Sequence, residues 1–128
     1  MIIGIGTDLV SIDRIAKLHT RHDARLMRRI LTPAERHLAS SRQATARFLA
    51  MRFAAKEAAW KAIPDCAGAG IGWQQLEILN DAAGKPQLIL LDRAAKHMQR
   101  FAPAGWRADI ALSDDNGMAL AFVVLSAP

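Results

Sequence analysis

The stretch from residue 44 to residue 62 most constrains what this chain can fold into. It is rich in alanine, free of Gly and Pro, and closed off by Pro64, so it predicts one long helix from about Ala44 to Ala62. Phe48, Met51, Phe53, Ala54, Ala55, Ala58 and Ala59 surround its polar positions and leave little of its surface for solvent. Ala54, Ala55 and Ala58 are small enough to let the helix lie close against a sheet. The other elements must then be laid around it.

Those elements carry clear local signals. Ile2 to Val10 is β-branched and weakly alternating, which predicts a strand. Ser11 caps a helix over Ile12 to His19, and a second helical piece is expected from Ala24 to Ile30. Thr32-Pro33-Ala34-Glu35 joins an N-cap, a proline at the first helical position and a capping-box glutamate, so a short helix follows to about Ala39. Asp65 to Gly72 is a loop. Gln74–Leu79 and Gln87–Leu91 read as strands, and Arg93–Phe101 as a helix. Arg107–Ser113 and Met118–Ser126 pair as a hairpin around Asp115-Asn116-Gly117. The order predicts an α+β fold, a largely antiparallel sheet packed against the long central helix. With 128 residues, no repeat and no linker, residues 1–128 read as one domain.

Charge narrows the partners. The net charge of +5 is concentrated between Arg14 and Arg47, where nine Lys or Arg stand against Asp23 and Glu35. Such a patch attracts nucleic acid, an anionic membrane or an acidic protein. The absence of Tyr and the 5% aromatic content leave few platforms for stacking bases. No apolar run approaches the roughly 20 residues of a membrane span. No secretory signal is seen at Met1, and the single Cys66 forms no internal disulfide, so a cytoplasmic location is expected.

Within Arg52-Phe53-Ala54-Ala55-Lys56-Glu57-Ala58-Ala59-Trp60-Lys61, Glu57 and Lys61 stand one turn apart on one face, flanked by Arg52 and Lys56. This suits a metal-bridged phosphate, and it equally suits a salt-bridged helix. Asp8 sits inside the first strand, sharing a face with Gly4, Gly6 and Val10. The glycines are expected to clear space along the face that carries this carboxylate. A buried carboxylate needs a cation, N–H donors or a metal, so Asp8 is either a ligand or a turn cap or arginine partner. Gly4-x-Gly6 lacks the third glycine of a dinucleotide fingerprint, with Leu9 in its place, and Pro86 after Gly84-Lys85 excludes a P-loop. His19, His22, His37 and His97 have no metal-like spacing and read as surface residues.

Taken together, Gly4-Ile5-Gly6-Thr7-Asp8-Leu9-Val10, the Arg52–Lys61 segment and Gly84-Lys85-Pro86 resemble the 4′-phosphopantetheinyl transferases of the holo-acyl-carrier-protein synthase type. The likeness covers essentially the whole chain. It implies transfer of the phosphopantetheine arm of coenzyme A to a serine of an apo acyl carrier protein, in support of fatty acid biosynthesis, with adenosine 3′,5′-bisphosphate leaving. It implies Mg²⁺ held by Asp8 and Glu57, which agrees with the preference of that ion for one or two carboxylates plus substrate phosphates. Lys61 becomes a phosphate partner, with Arg52, Lys56, Lys85 and Pro86 as further coenzyme A contacts. Glu57, or a water held by the metal, is the general-base candidate. Arg14, Leu18, Arg21, Arg25 and Arg28 follow spacings of 4, 3, 4 and 3 and would form one stripe on a continuous helix, the element that docks the acidic carrier protein in this family. A homotrimer with shared active sites is likewise implied.

The chain leaves the family pattern in two places. Pro64-Asp65-Cys66 stands where relatives carry a Gly-Thr-Gly or Gly-Ser-Gly turn, with glycines delayed to Gly68, Gly70 and Gly72. Ala111 and Asp114 stand where many relatives have Ser or Thr and then His. These departures motivate an alternative, a catalytically impaired basic module that binds an acidic carrier protein or nucleic acid.

Overall fold

The computed structural model describes residues 1–43 and 45–128, and for Asp23 the backbone only. The chain runs β1 (Ile2–Ser11), α1 (Ile12–Ile30), α2 (Pro33–Ser40), α3 (Thr45–Ala62), a 3-10 turn (Trp73–Gln75), β2 (Leu76–Asn80), β3 (Pro86–Leu90), α4 (Asp92–Phe101), β4 (Arg107–Asp115) and β5 (Met118–Ser126). The expected α+β class holds. The strands form two antiparallel sheets, a three-stranded one in the order β1-β5-β4 and the hairpin β2-β3. The β4–β5 hairpin turns on Asn116 and Gly117, both at positive φ (53° and 76°), as a tight two-residue turn requires.

Two expected helical pieces merge. α1 is one 19-residue helix from its Ser11 cap, whose side chain accepts from the Arg14 N–H, to Ile30. The residues between the two expected pieces, Thr20 to Asp23, include no Gly or Pro, and nothing there stops a helix. The predicted start of α3 at Ala44 lies outside the described residues; from Thr45 to Ala62 the helix is as expected. The capping box of α2 is complete, with Thr32 and Glu35 each accepting from the other's backbone N–H.

α3 is the centre of the molecule. Leu49, Ala50, Ala54, Ala55, Ala58 and Ala59 are fully buried, facing Ala119, Ala121, Val123 and Leu125 of β5 in the same core. β1 lies against it more closely than any side chain would allow. A Cβ on Gly6 would fall 1.8 Å from the Ala58 carbonyl oxygen, and one on Gly4 would fall 1.7 Å from that of Ala62. The glycines therefore do not clear a cavity, as the sequence suggested. The space they open is filled by the α3 backbone, and this contact sets how β1 is placed against the helix.

Candidate active site

The inner face of β1 continues from Gly6 to Asp8, and there it meets Lys61 in the last turn of α3. Lys61 Nζ donates to Asp8 Oδ1 at 3.1 Å and to the Thr7 carbonyl at 3.0 Å. Helical side chains slant toward the N-terminus of their helix, which lets Lys61 reach back over the strand. The cation beside Asp8 is a lysine of α3 and not an arginine, and the ion pair Lys61 makes is with Asp8.

Glu57 stands one turn before Lys61. Its Oε1 accepts from the indole Nε1 of Trp73 at 2.8 Å. It lines a cavity of about 380 Å³ together with Trp60, Ile71, Gly72 and Trp73. Gly6 is pressed on Ala58, the residue after Glu57, and Lys61, one turn further along α3, holds Asp8.

Lys56 is a correction. The sequence places it among the coenzyme A contacts, yet it is 0% exposed. Its Nζ lies 2.6 Å from Glu35 Oε1 and donates to the carbonyls of Ile30 (2.6 Å) and Trp73 (2.9 Å). All three ammonium donors are spent inside the protein, so none is left for a phosphate. Burial pulls its pKa below the ordinary lysine value, and Glu35 opposes that shift. Glu35 also accepts from the Ile78 N–H, so one carboxylate ties α2, α3 and β2 together. The capping-box motif gave no hint of this second duty.

Arg52 is placed differently. It is 5% exposed, with its guanidinium carbon 4.5 Å from the Phe48 ring centroid and NH2 3.4 Å from Asn80 Oδ1. Burial lowers its pKa to about 10, with Glu35 opposing and Arg42 reinforcing the shift. Its Nε is buried without a partner. It lines a cavity of about 250 Å³ with Arg42, Arg47, Asn80, Gly84 and Pro86, so the structure brings Arg52 and Pro86 together. Lys85 is exposed and belongs to a neighbouring cavity, where Asp81 and Asp109 also stand.

Arg14, Leu18 and Arg21 line a groove of about 340 Å³ on α1 with Lys17, and Arg25 and Arg28 are exposed further along the helix. Because α1 is continuous, the predicted stripe exists. His97 is half-buried, not at the surface, with Nε2 2.6 Å from the Pro64 carbonyl.

These motifs, in this order and geometry, agree with known proteins. A sequence model of the 4′-phosphopantetheinyl transferase superfamily matches residues 4–122. The chain belongs to this superfamily. It is 43% identical to a holo-[acyl-carrier-protein] synthase of Methylobacterium radiotolerans, over 99% of this chain and 95% of that protein. Its structure resembles the Neisseria meningitidis holo-[acyl-carrier-protein] synthase, with a TM-score of 0.85 and 35% identity over 98% of this chain and 99% of the other. It also resembles the Bacillus anthracis enzyme in complex with CoA (3′,5′-ADP), with a TM-score of 0.80 and 33% identity over 100% and 99%.

Within this phosphopantetheinyl transferase the departures from pattern have definite places. Asp65 is exposed at positive φ (50°) in the loop after α3. Asp114 receives two hydrogen bonds from Arg47, at 2.9 and 2.5 Å, which hold its carboxyl below and the guanidinium above their ordinary pKa values. Arg47, Asp114, Glu35 and Trp73 were not singled out from the sequence as site residues. Their partners are far along the chain, and no local pattern announces them.

Proposed function

We propose that this chain is a holo-acyl-carrier-protein synthase. It transfers the 4′-phosphopantetheine group of coenzyme A to a serine hydroxyl of an apo acyl carrier protein. The new bond joins the serine oxygen to the phosphorus that carries pantetheine. The bond from that phosphorus to the bridging oxygen breaks, and adenosine 3′,5′-bisphosphate leaves. The observation that carries this reading is the meeting of Asp8 and Lys61 beside Glu57, inside the family's motifs.

The donor set fits Mg²⁺. Asp8 and Glu57 offer hard carboxylate oxygens, and no group of three or more His, Cys, Asp or Glu gathers among the described residues. Two carboxylates with room for substrate phosphates and water are what Mg²⁺ takes, in place of a closed protein cage. Bound there, the ion would neutralise the pyrophosphate and the charge growing on the leaving group. Lys61 has two of its three ammonium donors engaged and keeps one for a phosphate oxygen. Arg52, which lines a cavity with Arg42 and Arg47, is the candidate for gripping a second phosphate of coenzyme A. Glu57 is the base candidate on this chain for the serine proton.

The outer face of the larger sheet supports self-association, and the proposed state is a homotrimer with shared sites. Ile5 and Leu9 of β1 and Leu120 and Phe122 of β5 are exposed by 54, 59, 43 and 41%, and Leu9 stands directly opposite Leu120. A contiguous apolar face of this kind is normally covered. No described helix is long and apolar enough to cross a membrane.

A mass measurement on apo carrier protein incubated with coenzyme A and Mg²⁺ tests the reading. The phosphopantetheine mass increment is expected, and its absence leaves only a binding module. Asp8→Ala and Glu57→Ala should each lose at least about 10²–10³ in rate, the usual cost of removing a placed electrostatic group. Wild-type rates in both variants would overturn the site.

A further inference from the structure

Trp73 stands at a crossing of restraints. Its carbonyl is held by the buried Lys56 ammonium at 2.9 Å, and that ammonium is itself locked by Glu35. Its ring packs on Phe53 of α3, with centroids 5.6 Å apart and planes tilted by 57°. The Arg29 guanidinium of α1 lies 5.7 Å from its ring centroid. With backbone and ring both fixed, the indole N–H has one target, Glu57 Oε1 at 2.8 Å.

We propose that Trp73 is the positioning residue of Glu57, the group that fixes which carboxylate oxygen is free for the metal and the substrate. The inference rests on the reading of Asp8 and Glu57 as a Mg²⁺ pair and deepens it. A free glutamate side chain samples several rotamers, and only some can meet a metal that Asp8 also holds. The indole engages Oε1, holds the rotamer and leaves Oε2 for a ligand. Hydrogen-bond partners of this kind orient metal-binding carboxylates, and their loss typically weakens metal affinity or activity 10–100-fold. The same network accounts for a lysine placed immediately before Glu57 that never reaches the substrate. Lys56 acts through the backbone of Trp73, upstream of the carboxylate.

The test removes the N–H and keeps the ring. Trp73→Phe does so approximately, and replacement of Trp73 by benzothienylalanine, which exchanges the N–H for sulfur in a ring of the same shape, does so in one atom. Mn²⁺ affinity would be followed by electron paramagnetic resonance with coenzyme A present, alongside kcat and the KM for carrier protein. Expected are an unchanged melting temperature in the benzothienylalanine protein, Mn²⁺ binding about 10–100-fold weaker, a comparable fall in kcat and an unchanged carrier KM. In the metal-free wild type, the Trp73 indole ¹H–¹⁵N resonance should move on Glu57→Gln. A benzothienylalanine protein with wild-type Mn²⁺ affinity and kcat would overturn the role of Trp73 while leaving the metal pair standing. A wild type that binds no Mn²⁺ would overturn the metal pair, and this inference with it.

Discussion

Lys56 shows how little a residue's identity says about its work. A lysine one position from a catalytic-looking glutamate invites a substrate role, and the fold gives it none. Its ammonium is withdrawn from water completely, which is tolerable only because a carboxylate and two carbonyls replace the water. Removing one partner leaves the other charged and buried. Lys56→Ala should therefore cost about 3–5 kcal/mol of stability. Lys56→Met combined with Glu35→Gln should recover part of it. Denaturant midpoints at one fixed protein concentration check this, and a cost for Lys56→Ala below about 1 kcal/mol would contradict the buried pair.

The decisive contact between elements is glycine against backbone. Gly6 admits α3 so closely that an added methyl would strike the Ala58 carbonyl oxygen and carbon and the Ala62 nitrogen, none of which can rotate away. Gly6→Ala must push β1 from α3, and Asp8 moves with β1. The expected outcome is a loss at or above the top of the usual overpacking range of about 1–3 kcal/mol, with transfer activity falling further than stability alone explains. Thermal melts and steady-state rates measured below the melting temperature separate the two effects. An alanine variant with wild-type melting and rate would mean that strand and helix are not in contact there. The glycines were visible in the sequence, but their purpose was not, because an alternating pattern marks a face without saying how near the next layer comes. The continuity of α1 is a related case. Two pieces are expected from the sequence, while the boundary signals of the one helix, the Ser11 cap and Thr32-Pro33, lie at either end.

Two surfaces of the whole molecule remain for partners. On the sheet face, Leu9 and Leu120 should lie between copies of this chain. Leu9→Glu with Leu120→Glu is expected to yield a monomer where the proposed wild-type state is a trimer, measured by light scattering; a wild type that is monomeric at micromolar concentration would sink the shared-site reading. On α1, Arg14, Arg21 and Arg28 face outward along one stripe. Changing all three to Glu should raise the KM for carrier protein about 10-fold or more and flatten its dependence on salt, because rim charges act on encounter. An unchanged KM would remove α1 from docking.

The division between sequence and structure follows the range of the physics involved. Caps, stop signals, alternation and alanine content act over a few residues, and they determined the element order and the α+β class, while the spacing of the arginines marked the basic stripe and three short motifs carried the resemblance to the superfamily. Which of three neighbouring polar residues on α3 faces what was decided only by packing. Lys61 finds Asp8 across 53 residues, and Glu57 finds Trp73 across 16. Lys56 turns inward because the registers of α2 and of the 3-10 turn against α3 put Glu35 and the Trp73 carbonyl there. A charged side chain takes its role from whichever groups replace the water around it, and those groups are assembled only when the layers close.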